Sequence, residues 1–160
     1  MKAFRAIAVF AFLLSQGFST SADDAAASAP AQAAAEGWLA LTDTGKYGES
    51  WDEAASLIKA GVSKPDWEKT LKGARSPFGA VKARKVKSAT FTRNPPGAPD
   101  GDYVGIQFES QFENRAAIET VTSMHEKDGT WRSSAISLEP VTFPVSRGGG
   151  WPEASRQITR

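Results

Sequence analysis

The residues best suited to chemistry lie in one loop and the segment after it. The stretch NPPGAPDGDYVGIQFESQF, residues 94–112, carries Asp100 and Asp102 on either side of a glycine. A calcium loop of the EF-hand type needs carboxylates at alternate positions and a distant glutamate, so that about six oxygens converge on the ion. That spacing is missing here, whereas proline, glycine and aspartate are the residues that a tight corner requires. We therefore predict a corner that leads into a strand, with no metal site and no cofactor.

Other arrangements that could support catalysis are incomplete. His125 is the only histidine and the chain has no cysteine, which excludes two-histidine metal sites, thiolate catalysis, cysteine zinc sites and disulfides. Ser56 and Lys59 match the S-x-x-K pattern of acyl-transfer serines, but the accompanying S-D-N and K-T-G elements are absent. Neither a G-x-S-x-G turn nor a glycine-rich phosphate loop occurs. The sequence thus predicts no catalytic residue.

The strand after the corner bears on whether the protein is an enzyme. Its alternate side chains are apolar apart from one serine and should face the helices: Val104, Ile106, Phe108, Ser110 and Phe112. Because a catalytic acid usually obtains its tuned pKa by burial, the lack of a carboxylate among them weakens the case for an enzyme. The alternative function is a small hydrolase or isomerase-like enzyme that uses a pocket acid and a tyrosine. Its candidate residues are Tyr103, Asp102 and Glu109, which a bulge would have to turn inward.

Two alternating segments, residues 118–126 and 130–138, are joined by an Asp-Gly pair, the strongest short signal for a hairpin. A two-residue loop predicts that one face carries Ile118, Thr120, Thr122, Met124, Trp131, Ser133 and Ala135. If that face points inward, Thr122, Trp131 and Ser133 would line a pocket that binds a small ligand. Alternatively, these hydroxyl groups pair with each other or with the backbone in an ordinary core.

Apolar spacing predicts three helices before the strands. Helix one covers about residues 31–45, and helix two covers about residues 51–61, each ending at a glycine. Ser63, with Pro65 in the first turn, is a capping signature that begins helix three, which ends by Gly79.

Residues 84–92 are rich in β-branched and aromatic side chains, but Val86 and Phe91 have opposite parity. A bulge near Lys87 would reconcile them. The predicted fold class is therefore α+β, with three N-terminal helices packed on a curved antiparallel sheet of about four strands.

The ends of the chain differ in composition from its centre. Residues 1–22 combine two basic residues, a short apolar stretch and small residues at the end, which predicts a cleavable signal peptide without a transmembrane segment. Residues 23–33 are predicted to be a flexible linker, 34–139 a single α+β domain and 140–160 an irregular tail. The protein is therefore expected to be periplasmic or secreted, with no nucleic acid as a partner.

Charge is unevenly distributed along the chain. Residues 59–93 hold ten Lys or Arg against two acids, whereas residues 23–58 hold one base against seven acids. Either a basic patch binds an anionic partner, or the two segments neutralise each other in the fold. The leading prediction for function is a non-enzymatic binding or interaction module of the bacterial envelope, whose partner is an envelope component or a small ligand.

Three stretches together resemble one protein family. They are WLALTDTGKYGESWDEA (38–54), SPFGAVKARKVKSATF (76–91) and PPGAPDGDYVGIQFESQF (95–112). In this order and spacing they resemble the small exported bacterial proteins grouped as domain-of-unknown-function family 4019, over about residues 34–132. The resemblance implies export, a cystatin-like or nuclear-transport-factor-2-like (NTF2-like) sheet, no assigned activity and no catalytic residues. The sequence WRSSAI (131–136) departs from the W-R-V-x-G-aromatic pattern expected there, so the resemblance does not fix the last strand.

Overall fold

The computed structural model describes residues 22–141, which form helices followed by strands. In chain order the elements are α1 (Ala22–Asp43), α2 (Tyr47–Asp52), α3 (Ser56–Gly61), α4 (Lys64–Arg75), β1 (Val81–Arg93), β2 (Asp102–Phe112), β3 (Ala116–His125) and β4 (Trp131–Pro140). The strands form one open antiparallel sheet in the order β1-β2-β3-β4. The predicted α+β class with a four-stranded antiparallel sheet is confirmed. Apart from Ala22, the predicted signal peptide lies outside the described residues, as does the predicted tail beyond residue 141.

Helix α1 is longer than predicted, because it begins at Ala22 rather than near Ala31. The predicted flexible linker, residues 23–33, is therefore helical, even though Pro30 lies within the helix. Alanine has the highest helix propensity, and Ala31 and Ala35 are fully buried in the core. This packing stabilises as helix a segment whose low complexity indicated a linker. No helix within residues 22–141 has both the length and the apolar character needed to cross a membrane.

The predicted second helix is in fact two short helices, α2 and α3, so the described chain has four helices rather than three. The break is at Ala55, whose backbone is extended (φ −61°, ψ 154°). The Ala55 N–H donates to the carbonyl oxygen of Ser133 at 2.9 Å. The Ser56 N–H and hydroxyl donate to the two carboxylate oxygens of Glu126 at 2.6 and 3.0 Å. At Ala55 and Ser56, long-range hydrogen bonds thus replace the bonds of a continuous helix. The helical spacing of apolar residues continues through this position and does not reveal the break.

Helix α4 begins as predicted. The Asp66 N–H donates to the Ser63 hydroxyl oxygen at 3.4 Å, and Pro65 lies in the first turn. The helix ends at Arg75, and the chain then turns through Gly79, whose φ of +76° lies in the region that favours glycine.

Strand β1 pairs with β2 and contains the predicted bulge. The register shifts at Lys87, so that Val86 lies opposite Phe108 and Phe91 lies opposite Val104. All four of these side chains therefore belong to the same face of the sheet. The bulge predicted from the parity of Val86 and Phe91 is confirmed.

The loop between β3 and β4 is one residue longer than predicted. The Glu126 N–H donates to the Thr130 carbonyl oxygen at 2.8 Å, which leaves residues 127–129 as a three-residue loop with Gly129 at φ +83°. One extra residue in the loop shifts the pairing of β3 with β4 by one position on β3. The other set of alternate β3 side chains therefore lies on the buried face. The alternating buried residues of β3 are Ala117, Glu119, Val121 and Ser123. The predicted inward set Ile118, Thr120 and Thr122 is therefore wrong, although Met124 at the strand end is also buried.

Helix α1 contacts all four strands and supplies much of the core. Trp38 and Leu39 of α1 belong to the same buried cluster as Phe108. The Trp38 indole N–H donates to the Ser50 carbonyl oxygen at 2.7 Å, and the Trp67 indole N–H donates to the Ser50 hydroxyl at 3.0 Å. Ser50 of α2 therefore holds α1 and α4 together.

Candidate functional site

The three residues predicted to bind a ligand, Thr122, Trp131 and Ser133, do not share one face. Ser133 lies opposite Ser123 on the buried face, whereas Thr122 lies opposite Ala135 on the other face. Trp131 is half-buried and packs against the core. The Ser133 hydroxyl is buried and has no hydrogen-bond partner in the described part of the chain. The prediction that Thr122 shares a face with Ser133 is therefore wrong. The binding of a ligand by Trp131 and Ser133 stays a prediction.

The residues considered for an acid and tyrosine enzyme are not brought together. The buried Tyr103 hydroxyl donates to the Pro99 carbonyl oxygen at 2.9 Å. Asp102 and Glu109 are each paired with a basic side chain of β1, at 2.8 and 2.7 Å. Tyr103 and Glu109 are six positions apart on one strand, which corresponds to about 20 Å. These three side chains therefore do not form a common site.

The corner before β2 is held by hydrogen bonds between its own two ends. The Asn94 N–H donates to the Gly101 carbonyl oxygen at 2.8 Å, and the Gly101 N–H donates to the Asn94 side-chain oxygen at 2.7 Å. Within residues 22–141, no group of three or more His, Asp or Glu side chains is arranged to hold a metal ion. The two hydrogen bonds between Asn94 and Gly101 make the start of the stretch 94–112 a turn, and β2 follows it.

The most concentrated charge in the described structure is buried. Asp43 at the end of α1, Arg75 of α4, Arg84 of β1 and Glu119 of β3 form a set of ion pairs that we call the buried ion cluster. The side chains of Arg75 and Glu119 are 6% and 0% exposed, and those of Arg84 and Asp43 are 15% and 14% exposed. Two guanidinium groups and two carboxylates thus meet where four elements converge.

Every carboxylate oxygen of the buried ion cluster accepts a hydrogen bond. Arg84 donates from Nη1 and Nη2 to Asp43 at 2.6 and 3.0 Å, and Arg75 Nη2 also donates to Asp43. Arg75 Nη1 donates to Glu119 Oε1 at 2.9 Å, and Arg84 Nε donates to Glu119 Oε2 at 2.7 Å. The Ser110 hydroxyl donates to the same Oε2. All four carboxylate oxygens are thus engaged by the two arginines, one of them also by the Ser110 hydroxyl.

The partners of Arg84 in the buried ion cluster favour its charged form. Burial alone would lower the pKa of Arg84, but its hydrogen bond to Asp43 and the charges of Glu119 and Asp43 raise that pKa above the ordinary value. Removing one partner from a buried ion pair typically destabilises a protein by about 3–5 kcal/mol, because the other charge remains buried. We conclude that this cluster fixes the helices against the sheet.

An open cleft lies beside the buried ion cluster, between the α1–α2 turn and the segment after α4. Its volume is about 360 Å³, and its least exposed lining residues are Thr42 and Arg75. Its full lining comprises Thr42, Asp43, Thr44, Gly45, Tyr47, Arg75, Ser76, Gly79, Ala80 and Val81. The guanidinium of Arg75 is held in this wall by Asp43 and Glu119.

A second cleft of about 730 Å³ adjoins the first and shares Gly45 and Tyr47 with it. We call the two together the Tyr47 cleft. Lys69 and Lys72 of α4 line its second part, and neither forms a salt bridge with a carboxylate of residues 22–141. Glu68 is the single acid among the lining residues of this second part. The second part of the Tyr47 cleft therefore has a surplus of positive charge beside an aromatic ring.

The buried ion cluster was not predicted from the sequence, although a signal for it exists. Arg75 comes four residues after Leu71, and Asp43 comes four residues after Leu39, so each continues a buried helical face. Glu119 likewise alternates with buried positions of β3. Charged residues at core-facing positions of separate elements indicate a buried ion pair, because a lone buried charge is too costly.

Comparison with known proteins identifies a family but no characterised relative. No curated protein and no solved structure matches the chain. The family model described as "Protein of unknown function (DUF4019)" matches residues 34–135. This match covers most of the chain, includes both the buried ion cluster and the Tyr47 cleft, and confirms the resemblance seen in the three sequence stretches. The chain belongs to the DUF4019 family.

Proposed function

We propose that this protein is a non-enzymatic binding module of the bacterial envelope, and that its ligand presents an anionic group in the Tyr47 cleft. One observation carries the proposal: Lys69 and Lys72 line the cleft without a carboxylate partner in residues 22–141. Their spacing of three residues places the two ammonium groups on neighbouring turns of α4, where like charges repel. An anionic group bound between them would relieve this repulsion.

The dimensions of the cleft suit a small ligand or one group of a larger one. Its two parts, of about 360 and 730 Å³, lie in the range of natural small-molecule sites. Tyr47 provides an aromatic surface between the two parts, and the backbone turn at Gly45 has no side chain to narrow the cleft. The buried ion cluster supports the walls, because Asp43 and Arg75 belong both to it and to the cleft lining.

Export supports an envelope component as the partner. Residues 1–22 have the basic residues, short apolar stretch and small residues of a cleavable signal, which would deliver the protein to the periplasm or outside the cell. Helices that precede a four-stranded antiparallel sheet also support a relation to cystatin-like or NTF2-like folds. Because such folds host both enzymes and binding proteins, the proposal rests on the cleft and not on that relation.

A nuclear magnetic resonance titration tests the proposal at the level of residues. The chain from residue 23 onward, labelled with ¹⁵N, is titrated with glycerol 3-phosphate and, in parallel, with uncharged glycerol. The proposal predicts amide shift changes at Gly45, Tyr47, Lys69 and Lys72 with the phosphate alone. Equal changes with glycerol, or changes that avoid these residues, would contradict it.

A further inference from the structure

The first strand of the sheet has one side without a partner strand. Strand β1 has 13 residues and is an edge of the sheet, paired with β2 alone among the described strands. The other edge, β4, is engaged by the residue before α3, since the Ala55 N–H donates to the Ser133 carbonyl oxygen. An incoming strand needs outward backbone groups that follow a regular pattern, and the pairing of β1 with β2 is continuous from residue 88 to residue 93.

The alternation of the β1–β2 ladder identifies the outward backbone groups. The Asn94 N–H donates to Gly101, which makes that pair a hydrogen-bonded one. In an antiparallel ladder such pairs alternate with pairs whose N–H and C=O groups point away from the partner strand. Counting back along the register, Thr90 bonds with β2, whereas Ala89 and Phe91 direct their N–H and C=O groups to the unpaired side. These groups form a regular docking edge over residues 88–93.

The side chains of β1 indicate the kind of partner. The strand contains five basic residues and no acid. The hydrogen bond from Lys85 and the charges of Lys85 and Lys87 lower the pKa of Glu109, so two ammonium groups act on one carboxylate. Lys82 forms no salt bridge with a carboxylate of residues 22–141. The edge is therefore positively charged after its own ion pairs are formed.

Apolar surface accompanies this charge. Val86, which is 38% exposed, and the exposed Ala89 lie on the helix-side face of β1. The alternate side chains of a strand added beside residues 88–93 would cover Ala89. Lysines and bulges on an edge strand commonly prevent two copies from pairing, and two β1 strands side by side would bring like charges together. The same lysines attract an acidic strand.

We propose that β1 binds an extended acidic segment of a partner protein, which adds a fifth strand beside residues 88–93. Backbone hydrogen bonds to Ala89 and Phe91 would supply the register. Lys82, Lys85 and Lys87, which precede these residues on β1, would select for acids over neutral or basic segments through their combined positive charge. This surface is distinct from the Tyr47 cleft, and either could bind without the other.

The experiment uses the chain from residue 23 onward and a fluorescent peptide of about six residues in which valine alternates with glutamate. A matched peptide carries lysine in place of glutamate. Anisotropy is expected to show at least about tenfold weaker binding of the lysine peptide, equivalent to about 1.4 kcal/mol. Hydrogen exchange should slow at the Ala89 and Phe91 amides only with the acidic peptide. Equal binding of both peptides, no binding of the acidic one, or unchanged exchange at these two amides would overturn the proposal.

Two variants separate the backbone and charge contributions. Ala89→Pro removes one outward N–H without removing a bond to β2 and should reduce binding of the acidic peptide about tenfold or more. The double variant Lys82→Gln/Lys87→Gln keeps the backbone intact and should weaken binding in low salt, with little effect in high salt. If circular dichroism shows that Ala89→Pro is unfolded, the lysine double variant provides the test. Unchanged binding of the acidic peptide by that variant in low salt would refute the proposal.

Discussion

Arg75 Nη1 lies 2.9 Å from Glu119 Oε1, while Nη2 of the same guanidinium donates to Asp43. One side chain of α4 thus connects the end of α1 with the middle of the sheet. Because Arg75 also lines the Tyr47 cleft, the contact that stabilises the fold sets the position of the cleft wall.

The substitution Glu119→Gln should destabilise the protein strongly. It keeps the shape of the side chain but leaves two buried arginines with one carboxylate, so we expect the free energy of unfolding to fall by about 3 kcal/mol or more. Urea denaturation followed by circular dichroism measures the change. The matched control is Glu109→Gln, which removes the exposed pair with Lys85 and should leave the urea midpoint nearly unchanged. Equal midpoints for the two variants would show that the buried ion cluster does not stabilise the fold.

Stability should fall at alkaline pH because of Tyr103. Burial, and then the charges of Glu126 and Asp100, raise the pKa of Tyr103 above the ordinary tyrosine value. A group whose pKa is raised by folding contributes stability that is present below its unfolded pKa and is lost as pH rises through the folded pKa. The variant Tyr103→Phe should therefore show a smaller loss of stability above about pH 10 than the natural chain.

Phenolate absorbance checks the ionisation of Tyr103 directly. The chain has two tyrosines, so Tyr47→Phe leaves Tyr103 as its only phenol. Its absorbance should rise at a higher pH in the folded protein than in urea. Titration at the same pH in both states would contradict the assignment.

A pair of serines that face each other across β3 and β4 should respond differently to replacement by alanine. The Ser123 hydroxyl donates to the Ala31 carbonyl oxygen at 3.1 Å, so Ser123→Ala should cost about 1 kcal/mol. The Ser133 hydroxyl is buried without a hydrogen-bond partner in residues 22–141, so Ser133→Ala should be neutral or stabilising. Thermal melts of both variants provide the test, and a larger loss for Ser133→Ala would indicate a partner of Ser133 outside the described contacts.

Two glycines with similar φ angles allow the cost of backbone strain to be distinguished from the cost of steric crowding. Gly79 and Gly129 have φ of +76° and +83°, so alanine at either position should cost about 1 kcal/mol through backbone strain. At Gly79 an added Cβ would also lie 3.0 Å from the Glu113 Cβ, whereas at Gly129 nothing lies within 4 Å. Gly79→Ala should therefore be the less stable variant in urea denaturation. Equal stabilities of the two variants would mean that the turn after α4 adjusts to accommodate the extra methyl group.

Local pattern predicted much of the fold but little of the candidate site. The cap at Ser63 and the bulge at Lys87 follow from residues a few positions apart, and both were predicted correctly. The buried face of β3 was wrong because it depends on whether the hairpin loop has two or three residues, and the Asp-Gly pair fits either length.

The break before α3 and the buried ion cluster depend on contacts between distant residues. Ser56 and Glu126 are 70 positions apart, and Arg75 and Glu119 are 44 apart. The periodicity of apolar residues indicates which face of a helix or strand is buried. It does not indicate which residue of another element that face contacts. The cluster, and the cleft beside it, therefore required the structure.

The affinity of the Tyr47 cleft for an anion tests the central claim most directly. Isothermal titration calorimetry compares glycerol 3-phosphate binding to the natural chain from residue 23 onward, to Lys69→Gln/Lys72→Gln, and to the control Lys59→Gln/Lys127→Gln, whose lysines are exposed and do not line the cleft. We predict about tenfold weaker binding for the cleft variant, equivalent to about 1.4 kcal/mol, and unchanged binding for the control. Equal affinities of the natural chain and the cleft variant would contradict the proposed function.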